Sequence, residues 1–236
     1  SAAIMSHPER RDDLAALLDL LDRPTPVYLD PHGPPSGSGD RVWSVAREAW
    51  LMFDPAADWH ALIQDDAVPC YDLLAGLERA LEAVPEPAIV CPYLGKGRTV
   101  PERWGRMAIE ADMRGATWVR SDRVMWGVCL LAPTALIPEM VAWCDRKAGM
   151  PDDMRVAAFA RRHALEAWYT WPSLVDHRQV PSLTKHRAAD RVARRHHVGS
   201  ALDLRWDGPV IADPMMIRRR PRRSSPHGAG QTAVAP

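Results

Sequence analysis

Short apolar runs alternate with longer amphipathic stretches along most of the chain. The opening AAIMS reads as a strand, and in the following HPERRDDLAALLDLLDRP the residues Leu14, Leu17, Leu18 and Leu21 recur at helical spacing until Pro24 stops the pattern. TPVYLD reads as a second strand ending at Asp30. PHGPPSGSGDR, dense in Pro, Gly and Ser, reads as a flexible loop. A helix through WSVAREAWLMF leads to a strand in HALIQDDA, and CYDLLAGLERALEAVP sets Tyr71, Leu74, Leu77 and Leu81 on one helical face. PAIVCPYL is a buried strand by the same reading. Beyond a Gly/Arg-rich connection come a strand in VMWGVCLLA, a helix in TALIPEMVAWCDRKAG, another starting near PDDMRVAAFARRHALEAW, and a last strand in WYTWPSLV. This alternation predicts an α/β fold, a mainly parallel central sheet with helices on both faces. Residues 1–217 are expected to form one domain, with a short helix in TKHRAADRVARRHHVGSALDLRWDGPV. Residues 218–236 contain almost no large apolar side chain and are expected to be a disordered basic tail.

Composition adds two constraints. With 236 residues, 47% hydrophobic and 25% charged, the chain can bury one sizeable core and is not a disordered protein. Lys+Arg and Asp+Glu number 30 each, but five arginines sit in RRRPRR, Arg218 to Arg223, so residues 1–217 carry 25 basic against 30 acidic side chains. The body is acidic and the tail is basic. The cysteines Cys70, Cys91, Cys129 and Cys144 have no CxxC or paired spacing, and are expected to be reduced and mostly buried in a cytoplasmic protein. No apolar run approaches the roughly 18 residues of a membrane span, and the first residues carry no signal-peptide pattern.

Candidate chemistry collects at strand ends, where open parallel sheets bind ligands. Ser6 and His7 follow the first strand, with Arg10 one helical turn on, and Asp30 follows the second. Asp65 and Asp66 end the third. Adjacent carboxylates repel unless water or a cation relieves them, and two strand-end aspartates suit Mg²⁺ or Mn²⁺ carrying a diphosphate. The competing reading makes one of them a helix cap and leaves the other solvated. Asp152 and Asp153 start a predicted helix, as caps or as a general base. Asp176 and His177 end a predicted strand, where the imidazole is either a third metal ligand or an ordinary hydrogen-bonded histidine. Trp126 and Gly127 suit a stacking platform with a close backbone approach, or plain packing.

In order and spacing these segments resemble nucleotide-sugar-dependent glycosyltransferases of the GT-A fold, particularly short bacterial and phage-type enzymes. The resemblance runs from Ala2 to about Leu183 through WHALIQDDAVPC, MWGVCLLAPTALIPEM, DDMRVAAFA and TWPSLVDHRQVPSL. It implies a GT-A-like sheet with a Rossmann-like nucleotide-binding half, and a Mn²⁺- or Mg²⁺-dependent enzyme of the hexosyl- or pentosyltransferase class. Such an enzyme moves a sugar from a nucleoside-diphosphate sugar to a hydroxyl acceptor, which for phage-type enzymes in a host cytoplasm extends to modified DNA, proteins or glycans. Carried over by position, it implies donor binding by Ser6, His7, Arg10, Asp30, Arg47 and Asp65, and metal binding by Asp66 with Asp65 and His177. It also implies Asp153 as base with Asp152 as its substitute, and acceptor-side roles for Trp126 and Gly127. The family's aspartate-any-aspartate motif is replaced here by adjacent acids, so only one of them is expected on the metal.

Two other classes compete. A nucleotidyltransferase would also use paired aspartates and a metal, but normally carries a glycine-rich loop after the first strand, and SHPERRDD has no glycine. A nucleic-acid-binding protein would use RRRPRR and RVARRHH on phosphates, against an acidic body. The tail yields a direct prediction. Truncation after Ile217 is expected to leave the melting temperature nearly unchanged, because residues 218–236 have nothing to bury; a large drop in a thermal melt would move the domain boundary.

Overall fold

A computed structural model describes residues 1–32, 39–96, 102–180 and 191–216. The strands are β1 (Ala2–Ser6), β2 (Val27–Leu29), β3 (Trp59–Gln64), β4 (Ala67–Pro69), β5 (Ala88–Cys91), β6 (Trp118–Ser121), β7 (Cys129–Pro133), β8 (Glu166–Thr170), β9 (Val175–His177) and β10 (Val210–Ala212). The α-helices are α1 (Arg11–Leu20), α2 (Gly39–Leu51), α3 (Leu73–Leu81), α4 (Glu102–Arg114), α5 (Ile137–Cys144) and α6 (Asp152–His163). Eight strands form one sheet in the order β10-β6-β8-β5-β7-β3-β1-β2, and β4 pairs with β9 in a separate two-stranded sheet. In the large sheet four of the seven neighbouring pairs are parallel. The other three are antiparallel, β7 against both β3 and β5, and β6 against β8.

Alternation along the strands fills both faces of the sheet. In β3, Leu62 points into a core built with Trp43, Ala46, Ala49 and Trp50 of α2 and with residues of α4, α5 and α6. Its neighbours Ala61 and Ile63 point the other way, against Leu17 of α1 and Leu73, Leu74 and Leu77 of α3. All four cysteines are free and buried. Among the described residues, no helix is long and apolar enough to cross a membrane.

Several elements depart from the sequence-based expectation. Both α4 and β6 lie in the stretch that reads as a connection. The buried face of α4 is Trp104, Met107, Ala108 and Ala111, too small and too diluted by charge to stand out as an apolar stripe. The helical face expected through Tyr71 starts later, because Asp72 takes the left-handed conformation at φ 55° and leaves Tyr71 61% exposed. The helix expected between residues 184 and 210 is replaced, among its described residues, by a 3₁₀ turn at Ala201–Asp203 and the approach to β10. The tail 218–236 and the middle of the loop after β2 lie outside the described residues.

The register aligns three strand ends. Met5 lies opposite Gln64, and Ser6 opposite Leu29, so the residues after β1, β2 and β3 emerge together at one edge of the sheet. Deeper in β3, His60 is fully buried and donates from Nε2 to the Ala49 carbonyl at 3.1 Å. Burial pushes its pKa down to about 4 from the ordinary 6.5. The unfolded chain therefore takes up a proton near pH 6.5 that the folded chain refuses until about 4. The stability due to neutral His60 is complete above the unfolded pKa and is lost as pH falls towards the folded one, at up to roughly 1.4 kcal/mol per pH unit. A His60→Leu variant is expected to show a flatter decline of stability over that acidic window in denaturant titrations.

Candidate functional site

The site is built on the aligned ends of β1, β2 and β3. Asp65 and Asp66 are both buried, and the structure gives them different surroundings. Asp65 Oδ2 accepts the His7 backbone N–H at 2.7 Å, which ties the turn after β1 to the end of β3. Burial, and then the neighbouring Asp66 charge, raise the Asp65 carboxyl to about 7, against the opposing pull of the His7 N–H and Arg10. Asp66 faces cations and an imidazole instead. Its Oδ2 lies 3.3 Å from His177 Nε2 and 3.7 Å from Arg10 Nη2, while its Oδ1 is buried without a hydrogen-bond partner among the described residues.

His177 arrives through the small sheet. The β4–β9 pairing sets Ala67 opposite His177, and the Arg178 N–H donates to the Asp66 carbonyl at 2.8 Å, so an imidazole 111 positions along the chain is brought to the second aspartate. Its Nδ1 lies 2.7 Å from the Arg178 carbonyl, an atom that can only accept, so Nδ1 carries the hydrogen. Arg191 Nη1 approaches Nε2 at 3.2 Å from the other side.

Asp30 is buried at the end of β2, its backbone N–H bonded to the Ser6 carbonyl at 2.8 Å. One carboxylate oxygen accepts the His32 N–H at 2.9 Å, and the other accepts Arg41 Nε at 3.2 Å. His7 Nδ1 accepts the Glu9 N–H at 3.2 Å, which leaves its buried Nε2 as a donor with no partner among the described residues. Arg10 is buried and also reaches Asp13 at 3.1 Å.

The start of α6 closes another side. Gln64, immediately before the aspartate pair, donates from Nε2 to Asp152 Oδ2 at 3.2 Å. Asp152 is buried, and burial followed by the charge of Asp153 raises its carboxyl well above the ordinary range. Asp153 is half-buried, with its Oδ1 accepting the Met154 N–H at 2.7 Å. Gly127 packs on both acids: a Cβ at this position would lie 3.0 Å from that of Asp153, 3.3 Å from Gln64 Nε2 and 3.4 Å from Asp152 Oδ2. Trp126 stands edge-on to Tyr93, Trp104 and Tyr169, with ring centroids 5.9, 5.6 and 5.9 Å away.

Ser6, His7, Arg10, Asp30, Asp65, Asp66 and His177 thus share one end of the sheet, and Gln64 joins them to Asp152, Asp153 and Gly127. Arg47 is the exception. Its Nε donates to Asp145 at 3.1 Å and its guanidinium also pairs with Glu48, so it faces the end of α5 and is not brought to the strand-end group. Sequence reasoning missed Gln64, although it stands within the QDDA stretch, and it missed Arg41, Arg178 and Arg191. The RVARRHH stretch, read as a possible phosphate grip, instead threads along the sheet end: Lys96 N–H bonds the Val192 carbonyl at 2.7 Å and Ser173 N–H bonds the Arg195 carbonyl at 2.9 Å. Nothing in its composition signals that path.

Among the described residues, no group of three or more His, Cys, Asp and Glu side chains converges as a ready-made metal cage. Asp66 and His177 are a pair. They suit a hard divalent cation that takes one or two protein ligands and completes its shell with phosphate oxygens or water, and the partnerless buried Oδ1 of Asp66 fits that role.

No protein-family model matches the chain, and no curated protein matches it in sequence. Among solved structures, the chain is similar to a mutant of the Drosophila β-1,4-galactosyltransferase 7 in complex with manganese, UDP-Gal and xylobiose. The identity is 11%, the TM-score 0.43, and the match covers 86% of this chain and 83% of that one. A likeness of this size says nothing about chemistry.

Proposed function

We propose that the chain is a glycosyltransferase with a GT-A-like sheet, moving a sugar from a nucleoside-diphosphate sugar to a hydroxyl acceptor with the help of Mn²⁺ or Mg²⁺. The observation that carries this reading is the meeting of two acidic pairs at one sheet end. Asp65 and Asp66, the second with His177 at 3.3 Å, directly follow Gln64 in the chain, and the Gln64 side chain donates to Asp152 of the other pair at 3.2 Å. A cation held by Asp66 and His177 would neutralise the diphosphate as it leaves. Arg10 adds positive charge beside it. His7, with its buried Nε2 donor, and Asp30, at the neighbouring strand end, suit the nucleoside part of the donor.

The second pair suits proton transfer. Burial and the neighbouring Asp153 charge favour keeping a proton on Asp152, against the opposing pull of the Gln64 N–H, and two carboxyls whose surroundings differ this much divide the acid and base states between them. Asp153, less buried and next to Gly127, is then the base that accepts the proton of the attacking hydroxyl. Asp65 supports the architecture, holding the turn after β1 through His7.

Two outcomes test this reading. UDP or GDP is expected to bind at least about tenfold more tightly with Mn²⁺ or Mg²⁺ than with chelator, since without the cation Asp66 confronts the phosphates as a like charge. Asp66→Ala is expected to erase that difference in calorimetric titrations without lowering the melting temperature much. Equal affinities in wild type with and without metal would remove the cation from the reading. For the base, Asp153→Asn is expected to keep donor binding and to lower transfer at saturating donor by about 10² to 10⁴, with a smaller loss for Asp152→Asn. Undiminished transfer by Asp153→Asn would exclude this residue as the base.

A further inference from the structure

Resting on the cation site just proposed, we infer that Arg191 is a built-in counter-cation, which holds the Asp66–His177 pair together when no divalent ion is bound and must leave His177 when one binds. Two acceptor atoms, His177 Nε2 and Asp66 Oδ2, face each other at 3.3 Å in a buried setting. Nδ1 donates to the Arg178 carbonyl at 2.7 Å, and the Arg191 guanidinium, which can only donate, points Nη1 at Nε2 from 3.2 Å, so Nε2 presents a lone pair. Lone pair against carboxylate oxygen is repulsive, and burial makes it costlier. The Arg191 guanidinium supplies what is missing, with Nη1 3.2 Å from Nε2.

Arg191 is placed there by the backbone. Val192 and Arg194 bond residues 96 and 94 through main-chain groups, and the Ala193 N–H donates to Asp176 Oδ1 at 2.6 Å, next to His177. The segment after residue 190 is therefore strapped across the sheet end, and the arginine at its start reaches the imidazole from it. An Nη1–H directed at the Nε2 lone pair uses the same electrons that a metal ion would take. The two cations are thus competitors for one atom. On displacement the guanidinium stays beside the pair, where the phosphates of a metal-bound nucleotide would meet it.

The test uses the full chain and Mn²⁺ alone, without nucleotide, read by calorimetry and by the loss of the free-ion electron paramagnetic resonance signal. Arg191→Gln is expected to bind Mn²⁺ about tenfold or more tightly than wild type, because no guanidinium has to be moved off His177 Nε2. Asp66→Ala in that background is expected to abolish the gain, which locates it. Unchanged or weaker Mn²⁺ binding by a folded Arg191→Gln would overturn the inference. A second measurement needs no variant: in ¹⁵N spectra of the wild-type chain, saturating Mg²⁺ with UDP or GDP is expected to shift His177 Nε2 and the Arg191 guanidinium together, and a His177 shift with Arg191 unmoved would also overturn it. If wild type binds Mn²⁺ through Asp66 in the presence of nucleotide and only the Arg191 effects fail, this inference falls and the cation site stands. If no Mn²⁺ binds under any condition, both fall.

Discussion

The organising constraint of this structure is the repulsion between two adjacent carboxylates at the buried end of a central strand. Asp65 and Asp66 follow β3 directly, where both are removed from most of the water that would screen them. The reliefs visible in the fold come from two distant parts of the chain, the segment after β1 and the strand β9. The residue after β1 gives Asp65 a backbone N–H, the 3₁₀ turn Pro8–Arg10 that follows gives Arg10, and β9 gives His177 to Asp66. Much of the local architecture follows from bringing those groups to one place.

The large sheet and the small one divide this work. Parallel pairing of β1 with β2 and β3 sets three strand ends level, so that Ser6, His7, Asp30 and the aspartate pair share an edge. The antiparallel β7 brings Gly127 back to the same edge, where the Gln64 N–H bonds the Val128 carbonyl at 2.9 Å. The β4–β9 pair, outside the large sheet, carries an imidazole to Asp66. The start of α6 is fixed separately. Arg155, 2% exposed, donates to the carbonyls of Met150 and Cys144 at 2.6 and 2.8 Å and pairs with Asp40, which anchors Asp152 and Asp153 against α5 and the first turn of α2. A buried arginine with this many acceptors makes a rigid support.

The two acidic pairs are held differently, and the difference bears on what each can do. Asp65 and Asp152 are the uncharged-leaning members, raised by desolvation and by the neighbouring carboxylate. Asp66 and Asp153 have the richer access to cations or to the half-exposed edge. Each pair therefore contains two carboxyls in unlike surroundings, and adjacency in sequence is a simple way to keep the second charge near the first.

By itself the sequence determined the class of fold and most of the strand-end set. Period-2 and helical patterns are local, so the strands through Ile4, Ile63 and Val90 and the helices through Leu17, Val45 and Val156 were legible, as were the acids and the histidine that follow them. Local pattern failed where burial is shared: α4 hides behind alanines, and β6 and β10 are short edge-side strands whose partners are far along the chain. The tertiary structure decided which of the candidate residues meet. It directed Arg47 to Asp145 and drew in Gln64 and Arg191, and it gave Asp65 and Asp66 different partners. The physical reason is that a side chain's partners depend on pairing between distant segments, above all β4 with β9 and residues 192–195 with the sheet end, and no periodicity within either segment encodes that pairing.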